Sequence, residues 1–214
     1  MTNESPTALV LRVPETELLV GPFRARLDPA AADGMPAHVT ILWPFKPLGL
    51  LGDADLAALA QVCAGHAPLT IEFAEARRFP GVLYLAPEPA APIRALVAAV
   101  VARFPEYPPY GGAFAEVVPH LTVAMVEDGQ ALEPIEAEFA QAAAGWLPIR
   151  TVVTEVTLFE NTTGRWQPAA TFALGRREAG GMTPPTPAHD AGAWDPPAGG
   201  GEGGHSHRGD PGGD

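Results

Sequence analysis

The 214-residue chain carries 13 Lys+Arg against 25 Asp+Glu, a formal net charge of −12. That length allows one domain or at most two small ones, and the acidic balance excludes a sequence-independent binder of long DNA or RNA, which neutralises phosphates with a basic stripe. Cys63 is the single cysteine, which excludes an internal disulfide framework and any multi-cysteine zinc site.

The first residues, Met1-Thr2-Asn3-Glu4-Ser5, lack a basic region followed by an apolar stretch, so no signal peptide is expected. Residues 8–13 read as a first strand. Gly21, Pro22, Pro29, Gly34 and Pro36 then mark an irregular passage leading to a second strand at about 37–43. The spacing of Leu56, Leu59, Ala60 and Cys63 predicts a helix after Asp53, with Asp53 or Asp55 as its cap. Strands over 69–78 and 81–86 flank Pro80-Gly81, a turn dipeptide, and predict a hairpin. Pro92 suits the first turn of a helix running to about Phe104, with Ile93, Leu96, Val97, Val100 and Val101 at helical spacing. A Pro/Gly-rich passage from Pro105 to Gly112 precedes a strand at about 119–126 and a helix over about 131–144. Two closing strands, at about 149–160 and 165–174, flank the hairpin signal Asn161-Thr162-Thr163-Gly164.

From Gly181 to Asp214, 16 of 34 residues are Gly or Pro and none is Ile, Leu or Val, so apolar burial cannot offset the entropy of ordering the segment. The expected organisation is a disordered N-terminus over 1–5, a folded domain over 6–177 and a disordered tail over 178–214. Within the folded part a strand, a helix and a strand pair recur, a weak internal repeat that predicts an α+β fold with two related lobes. No apolar run reaches membrane-spanning length, so a cytoplasmic protein without membrane contact is expected.

Two His-x-Thr tripeptides stand in matching contexts, Ala37-His38-Val39-Thr40-Ile41-Leu42-Trp43 and Pro119-His120-Leu121-Thr122-Val123-Ala124-Met125. Side chains alternate along a strand, so each tripeptide puts an imidazole and a hydroxyl on one face. Val39, Ile41 and Trp43, and in the second copy Leu121, Val123 and Met125, take the core face by the same phase. Six His and 14 Thr in 214 residues give only about 0.4 chance matches to the tripeptide. One copy alone is an ordinary strand histidine beside a β-forming threonine; the pair in equal phase favours a site. Two imidazoles and two hydroxyls on adjacent strands supply an acid, a base and two donors to an anion, the needs of phosphodiester chemistry.

These residues resemble the two-histidine (2H) phosphoesterases, which include the 2′-5′ RNA ligase-like and LigT-like proteins and the 2′,3′-cyclic nucleotide phosphodiesterases. The resemblance is carried by His38-Val39-Thr40, by Pro119-His120-Leu121-Thr122 and by the 82-residue separation of the histidines, and it spans roughly residues 8–175. It implies a bilobal, duplicated α+β fold in which two antiparallel sheets line a central cleft with helices on the outside. It further implies metal-independent chemistry on a phosphodiester, a cyclic phosphate or a 2′-5′ linkage. With the acidic charge, a small nucleotide or RNA terminus is the expected partner and DNA is not; no cofactor and a monomer are expected.

Hydrolysis of a 2′,3′-cyclic phosphate needs a base for water and an acid for the departing sugar oxygen on opposite sides of phosphorus, and His38 and His120 suit both tasks. Thr40 and Thr122 would donate to the non-bridging oxygens. Which histidine is acid and which base stays open. Phe45, Tyr84 and Tyr110 are candidates for stacking a base, beside Phe79 and Trp43, although strand phase puts Trp43 on the core side. Arg24, Arg77 and Arg78 are candidates for phosphate charge.

Other chemistries fit less well. Ser5 and Ser206 are the only serines and both fall in the terminal segments, which disfavours a serine hydrolase. No Gly-x-x-x-x-Gly-Lys-Ser/Thr loop is present, so ATP-driven ligation by a P-loop is not expected. His205-Ser206-His207 reads as a solvated polar tract. A non-catalytic nucleotide or RNA-end binding module, with the imidazoles as anion ligands, is the alternative, and a structural protein with a partner-binding tail is a third reading.

Overall fold

A computed structural model describes residues 6–114, 117–126 and 131–175. The expected disordered segments, 1–5 and 178–214, and the His205-Ser206-His207 tract lie outside the described residues. In chain order the elements are β1 (Thr7–Arg12), α1 (Glu17–Leu27), the short α2 (Pro29–Ala32), β2 (His38–Phe45), α3 (Asp53–Ala64), β3 (Leu69–Phe79), β4 (Val82–Glu88), α4 (Ala91–Arg103), β5 (Leu121–Met125), α5 (Glu133–Ala143), β6 (Ile149–Val153), β7 (Glu155–Glu160) and β8 (Gln167–Ala173).

The strands form two four-stranded antiparallel sheets, β2-β1-β7-β8 and β5-β4-β3-β6. The architecture is α+β, as expected. Each His-x-Thr strand is the edge of its own sheet; β3 and β4, which follow the first motif, join the sheet of the second, and β7 and β8 join the sheet of the first, while β6 stays in the sheet of the second. Helix α1 packs on β5 and α4 on β2, so each sheet is covered from the opposite half of the chain. Leu9, Leu11, Val39, Ile41 and Leu42 of the first sheet and Leu83, Leu85, Leu121, Val123 and Ala124 of the second belong to one continuous buried cluster. Each such side chain contributes about 1.5–3 kcal/mol when fully removed from water, so the core fastens both motif strands by their inward residues.

Two expectations are corrected here. The passage read as irregular before the first motif contains α1, eleven residues with Pro22 inside it. Gly21-Pro22 looks like a breaker, but Leu19, Val20 and Phe23 bury a face of the helix, and that packing outweighs the lost Pro22 hydrogen bond. The single strand expected over 149–160 is two strands, β6 and β7, which break at Thr154 and lie in different sheets. Near the start of α3, Asp55 is the capping side chain, accepting the Gly52 N–H at 2.9 Å and pairing with Lys46 at 2.8 Å. Among the described residues no helix is long and apolar enough to cross a membrane.

Candidate active site

Both motif strands carry a β-bulge at the same place. Val10 pairs with Thr40 and Leu9 with Leu42, which leaves Ile41 extra. Tyr84 pairs with Thr122 and Leu83 with Ala124, which leaves Val123 extra. The extra residue stands three after the histidine in each copy. A bulge shifts the alternation by one and re-aims the residues beyond it, so Leu42 and Ala124 are buried while Trp43 and Met125 emerge at 41% and 47% exposure. The strand-phase expectation that Trp43 and Met125 face the core is therefore wrong, because it assumed unbroken alternation.

His38, Thr40, His120 and Thr122 are all half-buried. The edge strands β2 and β5 approach each other, and the two imidazoles are near enough that a charge on His120 disfavours a charge on His38. The two rings are held alike. His38 Nδ1 lies 2.7 Å from the Pro36 carbonyl and His120 Nδ1 lies 2.9 Å from the Val118 carbonyl, each two residues back. A carbonyl only accepts, so each Nδ1 carries the proton and each neutral ring keeps its Nε2 lone pair free.

Burial pushes the His38 imidazole down from 6.5 to about 4, against the opposing pull of the Pro36 hydrogen bond. Arg24 and His120 lower it further by charge and Asp28 raises it. Burial also lowers His120, opposed by the Val118 carbonyl. Both imidazoles are thus neutral at pH 7 in the free protein, and an anion bound between them would favour recharging one.

Aromatic side chains flank both histidines. Tyr110 lies edge-on to Trp43 at 6.3 Å and to Phe114 at 5.4 Å, and burial raises its pKa against the opposing influence of the Thr40 side chain. Tyr110 holds φ at 52°, a left-handed conformation strained for a residue with a Cβ; Gly111 and Gly112, also at positive φ, continue the turn. On the other side Phe79 and Tyr84 stack at 4.3 Å, and both stand edge-on to His120, at 5.3 and 5.6 Å; Tyr84 is only 5% exposed, so it packs behind His120 and does not offer the open stacking face expected of it.

The remaining sequence candidates are placed differently. Phe45 is 1% exposed and packs on Phe104 and Tyr107, so it is a core residue and presents no face for stacking. Arg24 is also 1% exposed, paired with Asp28 at 3.0 Å and donating to the Met35 carbonyl at 3.1 Å. Its Nη1 is sealed from solvent without a partner, so Arg24 is not an open phosphate ligand. Arg78 pairs with Glu133 at 3.1 Å and Glu136 at 3.4 Å, and Arg77 bonds Glu75. Both are half-exposed surface pairs worth little energetically. Sequence reasoning missed Phe114, whose only signal was an aromatic after the Pro/Gly passage, and the carbonyls of Pro36 and Val118, for which the sequence holds no signal. Among the described residues no three His, Cys, Asp or Glu side chains gather as a metal site would require.

Comparison with known families finds that residues 12–165 match the 2′-5′ RNA ligase superfamily. The chain belongs to that superfamily. No curated protein matches the chain. Among solved structures, E. coli LigT complexed with NADP+ superposes with a TM-score of 0.51 at 19% identity, covering 81% of this chain and 99% of that one. E. coli LigT complexed with 3′-AMP gives 0.50 at 18% identity, covering 79% and 98%. The protein TT0787 of Thermus thermophilus gives 0.52 at 18% identity, covering 80% and 99%. At these identities the likeness establishes the fold of this superfamily member, and the chemistry rests on its own residues.

Proposed function

We propose that this protein is a 2H phosphoesterase that hydrolyses a cyclic phosphate or 2′-5′ phosphodiester of a nucleotide or RNA end by general acid–base catalysis between His38 and His120. One observation carries the reading: two edge strands, each with the same bulge, the same His-x-Thr and the same Nδ1 tether, come together at one place. In that arrangement one neutral Nε2 takes a proton from water while the other ring, charged in the presence of the substrate phosphate, protonates the departing sugar oxygen. Thr40 and Thr122 donate to the non-bridging oxygens, where negative charge gathers in the transition state. No step requires a metal.

A small nucleotide or RNA terminus suits the site better than a long duplex. Trp43, Tyr110 and Phe114 offer apolar faces near Thr40 for a base, whereas Arg77 and Arg78 are engaged with carboxylates. The complexes of E. coli LigT with 3′-AMP and NADP+ support a nucleotide ligand. The test is incubation of the full chain with 2′,3′-cyclic AMP in excess EDTA, with products resolved by phosphorus NMR. The reading predicts conversion to a single nucleoside monophosphate. Affinity for the cyclic nucleotide without product leaves the binding module, and loss of turnover on chelation with rescue by a divalent ion points to a metallophosphoesterase.

A further inference from the structure

The turn that leads into β2 is tied down by a helix that the acid–base chemistry does not use. Three consecutive residues before His38 each have a fixed partner. Arg24 Nη2 donates to the Met35 carbonyl at 3.1 Å, the Pro36 carbonyl accepts from His38 Nδ1 at 2.7 Å, and the Ala37 N–H donates to Glu17 Oε2 at 2.8 Å. Arg24 and Glu17 both belong to α1. Asp28 closes the frame, accepting from Arg24 Nε at 3.0 Å and from the Ala30 N–H at 3.0 Å, and the Ala30 carbonyl accepts from the Met35 N–H at 2.9 Å. The carbonyl that orients the His38 ring is therefore gripped on both sides by one helix.

Stability alone does not account for this arrangement. A buried ion pair is often matched or bettered by apolar side chains of similar volume, and Arg24 additionally leaves Nη1 buried and unpartnered. The same helix packs on β5, the strand of the second motif. We propose that Arg24 and Glu17 are positioning residues that hold the 35–37 turn so that the Pro36 carbonyl keeps His38 in one orientation with Nε2 free. The charged and titratable groups acting on His38 are Arg24, Asp28 and His120, and the turn holds it relative to all three. The proposal rests on the acid–base reading for its consequence in rate, but its structural content is separable.

The experiment uses the full chain labelled with 15N-histidine, whose ring nitrogen shifts report the tautomer, together with turnover of 2′,3′-cyclic AMP. Glu17→Gln keeps an acceptor for Ala37 and should match wild type in both readouts. Glu17→Ala and the double variant Arg24→Met/Asp28→Asn, which removes the ion pair as a unit while retaining an α2 cap, should convert His38 from a single Nδ1–H tautomer to a mixture. Their kcat should fall roughly 10–100-fold with KM within about threefold, since small misplacement of a reacting group has effects of that order. A single Nδ1–H tautomer and unchanged kcat in both variants, or Glu17→Gln as damaging as Glu17→Ala, overturns the proposal. Should the double variant not fold, Glu17→Ala decides alone. Should wild type turn over no cyclic nucleotide, the acid–base reading fails and the tautomer measurement still decides the positioning role.

Discussion

His38 and His120 differ in their surroundings although their tethers match. His38 feels the buried Arg24 charge, while His120 stands against the edges and faces of Phe79 and Tyr84. Either ring replaced by Ala should lower turnover by roughly 10²–10⁴, the usual contribution of a positioned acid or base. Thr40→Val or Thr122→Val should cost less, on the order of 10–10³, because a donor is lost while proton transfer survives. The double histidine variant should be far less impaired than the product of the singles, since groups that act as a unit are not additive. Steady-state kinetics on the four single variants and the double one checks all of these. The histidines and threonines were legible in the sequence because a tripeptide occurring twice in equal phase needs no coordinates. The carbonyls that fix the imidazoles were not, because every residue has a carbonyl and only the fold says where it points.

At the scale of elements, the bulges decide what the site presents. Alternation read from the sequence stops being valid after Ile41 and Val123, and nothing in Thr40-Ile41-Leu42 or Thr122-Val123-Ala124 marks the extra residue. Trp43 thus moves from the core face to the surface, beside Tyr110. If these rings carry the base of the substrate, Trp43→Ala or Tyr110→Ala should raise KM for 2′,3′-cyclic AMP by roughly 5–150-fold with little change in kcat, the range that about 1–3 kcal/mol of stacking gives. An unchanged KM in both variants would place the base elsewhere. Helix α1 was hidden for a related reason: Gly21-Pro22 suggests a break, and only the burial of Leu19, Val20 and Phe23 keeps the helix going. The β6–β7 break is not legible in the sequence because both segments are strands and the change of sheet at Thr154 leaves no composition signal. The helices expected from Pro92 to about Phe104 and over about 131–144 are plain from their apolar spacing and stand at Ala91–Arg103 and Glu133–Ala143.

For the whole molecule, the depressed imidazoles link chemistry to stability. Between about 4 and 6.5 the unfolded chain binds a proton at His38 that the folded chain refuses, so stability should rise with pH across that window and level off above it. His120, lowered in the same direction, adds to the slope. Denaturation of wild type and His38→Asn at several pH values checks this, and the variant should show a shallower slope between pH 4 and 6.5. The same depression predicts that kcat/KM, which reports the free enzyme, peaks on the acid side of 6.5, and that kcat is displaced upward because substrate phosphate favours the imidazolium. The most direct test of the central claim, that both histidines act on one phosphate, is the pH dependence of kcat/KM for 2′,3′-cyclic AMP hydrolysis in EDTA, for wild type and each single His→Ala variant. The account predicts a bell bounded by two apparent pKa values belonging to the pair, and loss of one limb with a fall of roughly 10²–10⁴ in either variant. A pH-flat rate with both variants near wild type would contradict it.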